Sequence, residues 1–384
     1  MCNTKISIAL ATYNGARYLP EQLDSYLAQE RLPDELIVSD DCSTDATQAV
    51  VEEFARRAPF PVKLFRNEHN LGVARNFANA VSQCSGEIVC LSDQDDIWIP
   101  SRIGTLAECF RQNAEVLAVC SNSEQIDGNG LKKGINTWQD CSGFRPGSHD
   151  RLLSDPLRVL LAYRGICSAH GLAVHRRVLD VAFPIPPQTP EAFPFTSCDT
   201  YLALLAGLIG RVVFHSEPLT LYRRHETNTS DFNPVPIPRL IRNNVGASTR
   251  YDTRLQQLLA TLRIVEERQP AAITKEMARR VCALIKHYSS AIAARQTGLS
   301  GFLLVLRLAV TGSYHRNGRG FRQIAADVLD ILSRPLLTRM PADGVMRQNC
   351  YRTAMVRLKG TTMLSVRMPV TENEHGISQS RPAV

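Results

Sequence analysis

Three carboxylates occupy four consecutive positions in Asp93-Gln94-Asp95-Asp96, directly after the apolar run Ile88-Val89-Cys90-Leu91-Ser92. Carboxylates this close repel one another, and a hard divalent cation or a set of hydrogen-bond donors is what offsets the charge. Mg²⁺ or Mn²⁺ suits such oxygen ligands; a solvated acidic loop is the alternative that any Asp-x-Asp leaves open. A second cluster, Asp40-Asp41-Cys42-Ser43-Thr44-Asp45, follows the apolar run Leu36-Ile37-Val38. Its acids can accept hydrogen bonds from a ligand or cap the next helix. Asp199 opens an apolar segment, where it is either a general base or a first-turn acid stabilised by the helix dipole. Arg223-Arg224-His225 adds two cations and an imidazole, groups suited to phosphate or metal.

These clusters need a scaffold, and the chain supplies alternating elements. Ile6-Ser7-Ile8-Ala9-Leu10-Ala11 is an apolar strand that breaks at Thr12-Tyr13-Asn14-Gly15, and a helical pattern with Leu19, Leu23, Tyr26 and Leu27 on one face follows. A strand over 35–39 precedes a helix from about residue 46 to 57, with Ala49, Val50 and Phe54 as its inward face. A third strand over 62–66 leads through Asn70-Leu71-Gly72 to another helix, and the run before the acidic tetrad is a fourth strand. This alternation predicts a mostly parallel central sheet flanked by helices, an α/β fold that binds ligands at the carboxyl ends of its strands. The clusters near Asn14, Asp41, Arg75 and Asp93 all fall at those ends. A dinucleotide-binding turn is excluded, because Ala11-Thr12-Tyr13-Asn14-Gly15-Ala16 has one glycine where Gly-x-Gly-x-x-Gly is needed, and no phosphate loop ending in Gly-Lys-Ser/Thr occurs.

Four blocks in order, Ala11-Thr12-Tyr13-Asn14-Gly15, Val38 to Asp45, Asn70 to Asn76 and Leu91 to Trp98, resemble the signature blocks of family 2 glycosyltransferases with the GT-A fold. The resemblance covers about residues 5 to 230, and Ser-Asp-Gln-Asp-Asp-Ile-Trp is most like the bacterial rhamnosyltransferase branch. It implies an inverting enzyme that moves a sugar, L-rhamnose from dTDP-rhamnose in that branch, from a nucleotide diphosphate to a cell-surface glycan or lipid-linked acceptor, as in lipopolysaccharide or O-antigen biosynthesis. Thr12, Tyr13, Asn14 and Asp41 would meet the nucleotide, with Asp40 as the substitute for Asp41. Arg75 and Arg223 would serve base or diphosphate, and Asp93 the ribose or donor sugar. Asp95 would ligate the metal with His225, Asp96 standing behind it. Asp199 matches the family's general base, although Cys198 and Tyr201 depart from its usual flanks; Glu191 is the alternative acid. Cys42 stands where the family commonly has Gly, so a positive φ there would be strained. His170-Gly171 resembles the small-residue segment beneath the acceptor, and a tight turn is the equal alternative. A UDP-linked hexose or N-acetylhexosamine remains an alternative donor, and a sugar-nucleotide-binding protein without turnover an alternative function.

At 384 residues and 44% hydrophobic content the chain can bury a large core. Its eleven cysteines lack Cys-x-x-Cys spacing, which argues against zinc and against a disulfide framework and suits a reducing, cytoplasmic compartment. Charge divides sharply: residues 1–235 hold 21 Lys and Arg against 28 Asp and Glu, a net −7, whereas 236–384 hold 23 against 9, a net +14. The expected domains are therefore a GT-A domain over 1–235, a basic helical region over 236–370 and a disordered tail over 371–384. Leu255, Leu258, Leu259, Leu262 and Val265, and then Val281, Ile285 and Tyr288, carry the helical spacing. The positive region fits peripheral contact with an anionic membrane at its inner face. Nucleic acid is not expected, since no basic-aromatic or helix-turn-helix pattern occurs.

Overall fold

The computed structural model describes residues 4–144, 155–163, 165–187, 193–228, 248–296, 299–317, 327, 351–356 and 364–369. They fall into two compact units, Met1–Pro236 with Gln257–Ile273, and Ile237–Gln256 with Thr274–Val384. The segment Gln257–Ile273 thus groups with the first unit and not with the basic region in which the charge boundary would place it. Glu191 and the tail over 371–384 lie outside the described residues.

The first unit starts with β1 (Ile6–Thr12), α1 (Leu19–Leu27), β2 (Glu35–Asp40), α2 (Thr47–Arg57), β3 (Val62–Arg66), α3 (Val73–Gln83) and β4 (Ile88–Ser92). Strands β2 and β4 are buried along their whole length, as strands covered by helices on both faces must be. Helix α1 buries Leu19, Leu23 and Tyr26 as its spacing predicts. Helix α2 turns differently from the expectation: Thr47, Val51 and Phe54 point inward and Ala49 is exposed. Asp45 draws the start of α2 together by accepting the Thr47 N–H at 3.0 Å.

Beyond β4 come the short β5 (Ile97–Trp98), α4 (Arg102–Gln112), β6 (Val116–Ile126), β7 (Lys132–Asn136) and a π-helical turn over Thr137–Ser142. They are followed by α5 (Pro156–Ala162), a 3₁₀ turn over Ala169–Gly171, β8 (Leu172–His175), α6 (Arg176–Ala182), α7 (Cys198–Ile209) and β9 (Arg211–Arg223). The strands make one sheet in the order β3-β2-β1-β4-β8-β6-β9-β5, with β7 on β6. Pairing is parallel from β3 to β4, as the alternation predicts, and β8 then runs antiparallel between β4 and β6. Register aligns Thr12 with Asp40 and Leu10 with Ser92, so three strand ends finish on one edge. The bend in β9 is pronounced: Ser121 pairs with His215 and Ser123 with Thr220, so three more residues lie on β9 than on β6 in that interval.

The eleven cysteines are not all free. Cys120 on β6 and Cys167 before the 3₁₀ turn form a disulfide, with Cα atoms 5.2 Å apart. The scattered spacing argued against a disulfide framework, and this bridge is what it left out; the two positions are 47 residues apart in sequence, and the antiparallel return of β8 brings them together.

The second unit contains α9 (Lys275–Gln296), α10 (Leu299–Val310) and α11 (Ser313–Asn317), after α8 (Ser248–Arg268), whose residues from Gln257 onward belong to the first unit. Its small core joins Ala294, Val305, Leu308 and Tyr314. The expected helices are present with Val281, Ile285 and Tyr288 buried, and an antiparallel hairpin of β10 (Tyr351–Val356) and β11 (Leu364–Pro369) is added to them.

Two glycines test the packing of the first unit. A Cβ on Gly86 would lie 2.6–2.9 Å from Ser7 Oγ, Ser7 N and Lys5 O, where β1 and β4 converge. Gly104, in α4, has nothing within 4 Å of that position. In urea unfolding, Gly86→Ala is expected to lower stability by about 1–3 kcal/mol through overpacking, and Gly104→Ala to raise it by about 0.5–1 kcal/mol through helix propensity.

Candidate active site

The carboxyl edge of β1, β2 and β4 is knitted by side chains from the loops that follow each strand. Thr12 Oγ1 donates to Asp40 Oδ1 at 3.0 Å, and Asp40 also accepts the Ser43 N–H at 3.1 Å. Asn14 N–H donates to Ser43 Oγ at 2.9 Å, while Asn14 Oδ1 accepts the Thr44 N–H at 2.8 Å. Asn14 and Cys42 both take a positive φ, +47° and +65°, so the strain expected at Cys42 is present. Sequence reading missed Gln94: its amide accepts the Tyr13 N–H at 2.8 Å and donates to the Tyr13 carbonyl at 3.0 Å, tying the first loop to the acidic tetrad. Gly15 is required by that clamp, since a Cβ there would sit 2.1 Å from Gln94 Oε1. Tyr13 itself stays half exposed.

Asp41 is buried and its carboxylate already has protein donors. Leu71 N–H and Asn67 Nδ2 donate to Oδ1 at 2.7 and 2.8 Å, and Gly72 N–H donates to Oδ2 at 2.9 Å. It thereby holds the Asn70-Leu71-Gly72 turn at the start of α3, whose next turn carries Arg75. Arg75 is exposed and makes no hydrogen bond or ion pair among the described residues.

Within the tetrad the three acids have different surroundings. Asp95 Oδ2 meets His225 Nε2 at 2.8 Å and Asn228 Nδ2 at 3.3 Å. Asp96 is fully buried; its Oδ1 accepts the Arg223 N–H at 2.9 Å, and its Oδ2 has no partner. Asp93 approaches His170, with Oδ2 3.8 Å from Nδ1. Desolvation, followed by the charges of Asp95 and Asp199, raises the Asp93 carboxyl well above the usual range. Burial, with Asp95 and Asp93, does the same to Asp96. Burial and then the Arg102 charge push His170 down to about 3, so it is a neutral imidazole, stacked on Tyr222 at 4.5 Å.

Arg223 is fully buried, with no side chain exposed. Nε donates to the Asp95 carbonyl at 2.8 Å, Nη2 to Glu21 at 2.7 Å and Nη1 to the Gly128 carbonyl at 3.3 Å. The structure therefore places it beneath the tetrad, with its donors on protein groups and not free for base or diphosphate. Beside it, Arg102 donates to Ser121 and Thr220 and lies 4.4 Å over the Trp98 ring. No sequence signal marked Glu21 or Arg102, which lie on helices among ordinary polar positions.

Asp199 sits in the first turn of α7, close enough to Asp93 for their charges to interact. Ser197 Oγ and the Thr200 N–H donate to Oδ1, and the Ala169 N–H donates to Oδ2 at 2.9 Å. Burial outweighs these donors and raises its carboxyl above the usual value. The unusual flanks have packing roles: Cys198 is buried, and Tyr201 donates to the Ala182 carbonyl and packs on Phe193 and Phe195.

The residues present fit a divalent cation. Asp95 and His225 offer O and N donors that already converge, and Asp93, Asp96 and His170 offer three more within 4.8 Å of one another, including the unpartnered Asp96 Oδ2.

Residues 7–177 match Glycosyl transferase family 2, so this stretch of the chain, with its mostly parallel sheet, is similar to that family. It is 31% identical over 227 residues to an uncharacterized glycosyltransferase of Nostoc sp., covering 58% of this chain and 66% of that protein. It is 35% identical over 105 residues to the dTDP-rhamnosyl transferase RfbG of Shigella flexneri, covering 26% and 36%. Identity is 30% over 126 residues to the UDP-Glc:alpha-D-GlcNAc-diphosphoundecaprenol beta-1,3-glucosyltransferase WfgD of Escherichia coli, covering 33% and 48%. The chain thus spans less than two thirds of the length of these relatives.

The neutral state of His170 is directly measurable. In histidine-labelled protein, the resonance lost in His170→Gln is expected to show no titration between about pH 8 and 4.5, a range in which an ordinary imidazole near 6.5 protonates.

Proposed function

We propose that the protein is an inverting glycosyltransferase that moves a sugar from a nucleotide diphosphate to a hydroxyl of a cell-surface glycan or lipid-linked acceptor. L-Rhamnose from dTDP-rhamnose is the first candidate donor. The observation that carries this reading is the gathering at the sheet's carboxyl edge of the Asp95–His225 pair, Asp93 and the buried Asp199 carboxylate, whose charge reaches Asp93. The rhamnosyl assignment is supported by the Ser-Asp-Gln-Asp-Asp-Ile-Trp block and by similarity to a dTDP-rhamnosyl transferase. Similarity to a UDP-glucose-dependent enzyme supports a UDP-linked hexose as the second reading.

In this mechanism the loop of Thr12, Tyr13 and Asn14, with Asp41 beneath it, receives the nucleotide, and the unpaired Arg75 guanidinium meets base or diphosphate. Asp93 orients the donor sugar. Asp95 and His225 would hold Mg²⁺ or Mn²⁺, which neutralises diphosphate charge when bound. Arg223, with its donors committed to the protein, holds the tetrad in place. The acceptor oxygen attacks the anomeric carbon as the bond to the diphosphate oxygen breaks, and Asp199 takes the hydroxyl proton; the products are the glycoside and the nucleoside diphosphate. A raised carboxyl makes Asp199 the stronger base, at the cost of losing its charge at a higher pH than an ordinary Asp.

Calorimetric titration with dTDP-rhamnose, UDP-glucose and UDP-N-acetylglucosamine, with and without Mn²⁺, identifies the donor; no binding by any of them would sink the reading. Asp199→Asn is expected to lower kcat by about 10²–10⁴-fold while donor affinity changes by no more than a few fold. The acid limb of the wild-type pH–rate profile should lie above the ordinary carboxylate range. Near-normal turnover in Asp199→Asn would transfer the role to another acid such as Glu191. Asp95→Asn should remove the Mn²⁺ enhancement of donor binding and leave the fold intact, and Asp41→Asn should weaken nucleotide binding.

A further inference from the structure

Helix α10 is apolar on two opposite sides. Val305 and Leu308 turn inward onto Ala294 and Tyr314, while Leu303, Leu306 and Val310 are 69%, 50% and 80% exposed. At 100° per residue those three side chains lie within about 60° of one another, opposite the buried pair. Exposed apolar residues scattered singly are ordinary, but of seven large ones among the described residues, three stand on this one face.

The sequence around it is cationic. Residues 277–326 contain eight Arg and Lys and no Asp or Glu. Arg307 is exposed on the same side of α10, and Arg316, also exposed, donates to the Thr311 carbonyl at the end of that helix. A second copy of so basic a surface would be repelled, whereas an anionic one is attracted. The helix is too short to cross a bilayer, and no helix among the described residues is long and apolar enough to do so. Apolar residues in a stripe with arginines beside it are what an in-plane interfacial helix requires, the long Arg stems reaching outward to phosphates.

We propose that this face of α10 docks on an anionic membrane surface, with Leu303, Leu306 and Val310 entering the acyl boundary and Arg307 and Arg316 meeting lipid phosphates. The inference concerns the second unit alone and stands apart from the identity of the donor sugar.

The full chain is tested by co-sedimentation with phosphatidylcholine vesicles, with and without phosphatidylglycerol, at low and high salt. The wild type should pellet with the anionic vesicles only, and salt should weaken that binding. Combined Leu303→Asn, Leu306→Asn and Val310→Asn should reduce partitioning by about tenfold or more, with an unchanged circular dichroism spectrum and thermal melt. Arg307→Gln and Arg316→Gln should each reduce it by about fivefold. Should the triple variant not fold, Val310→Asn alone, at the most exposed position, gives the same reading at smaller size. Absence of wild-type binding, or full binding by a folded triple variant, overturns the proposal. So does a wild-type dimer in sedimentation that the triple variant converts to monomer, because a second copy would then cover the face.

Discussion

The acidic tetrad can exist in its observed form because one guanidinium is buried beneath it. Arg223 satisfies Asp96 through its backbone N–H, the Asp95 carbonyl through Nε and Glu21 of α1 through Nη2. Three segments far apart in sequence, α1, the tetrad and the end of β9, are fixed by this one side chain. Desolvation and the repulsion of neighbouring carboxylates still act on Asp93 and Asp96, and the cation whose charge reaches Asp96 is Arg102 of α4. The arrangement leaves Asp95 and His225 paired and slightly exposed while Asp96 is fully buried, so adjacent carboxylates acquire different environments.

Much of this organisation is visible in the residues. Mostly apolar runs at 6–11, 36–38 and 88–91 declare strands buried on both faces, and their abrupt change to Asp, Asn and Thr marks the binding edge. The pairing of Asp95 with His225 brings together two positions that the family pattern singled out 130 residues apart. Asp199 is more ambiguous by sequence, since a first-turn acid is common; its burial, its raised carboxyl and its proximity to Asp93 are properties of the packed fold.

What was not legible depends on long-range return of the chain. The Cys120–Cys167 bridge requires β8 to come back antiparallel beside β6, and cysteine spacing contains nothing about that register. The role of Arg223 misleads for a related reason: an arginine pair followed by a histidine at a strand's end suggests phosphate, and Glu21 of α1 with the Asp95 and Gly128 carbonyls holds Arg223 inward. Gln94 sits in plain view among the acids, yet its clamp on Tyr13 rests on Gly15 leaving a space where a Cβ would collide. In α2 the apolar residues placed Val50 and Phe54 correctly against the core but not Ala49, because the inward face includes Thr47, buried to receive the Gly15 N–H at 2.8 Å.

The bend in β9 sets a length rule on the chain. Three additional residues between His215 and Thr220 are an odd number, and side chains alternate along a strand, so the phase of β9 inverts relative to β6 across the bend. Phe214 accordingly packs with Trp138 and Phe144, whereas Thr220 and Tyr222, also even-numbered, meet Arg102 and His170. Surface turns usually absorb insertions and deletions, but here the loss or gain of one residue would exchange inward and outward neighbours for the rest of the strand. Arg223 would then leave the tetrad although every site residue remained in the sequence. The site therefore depends on the number of residues over 216–218 as well as on the side chains that line it.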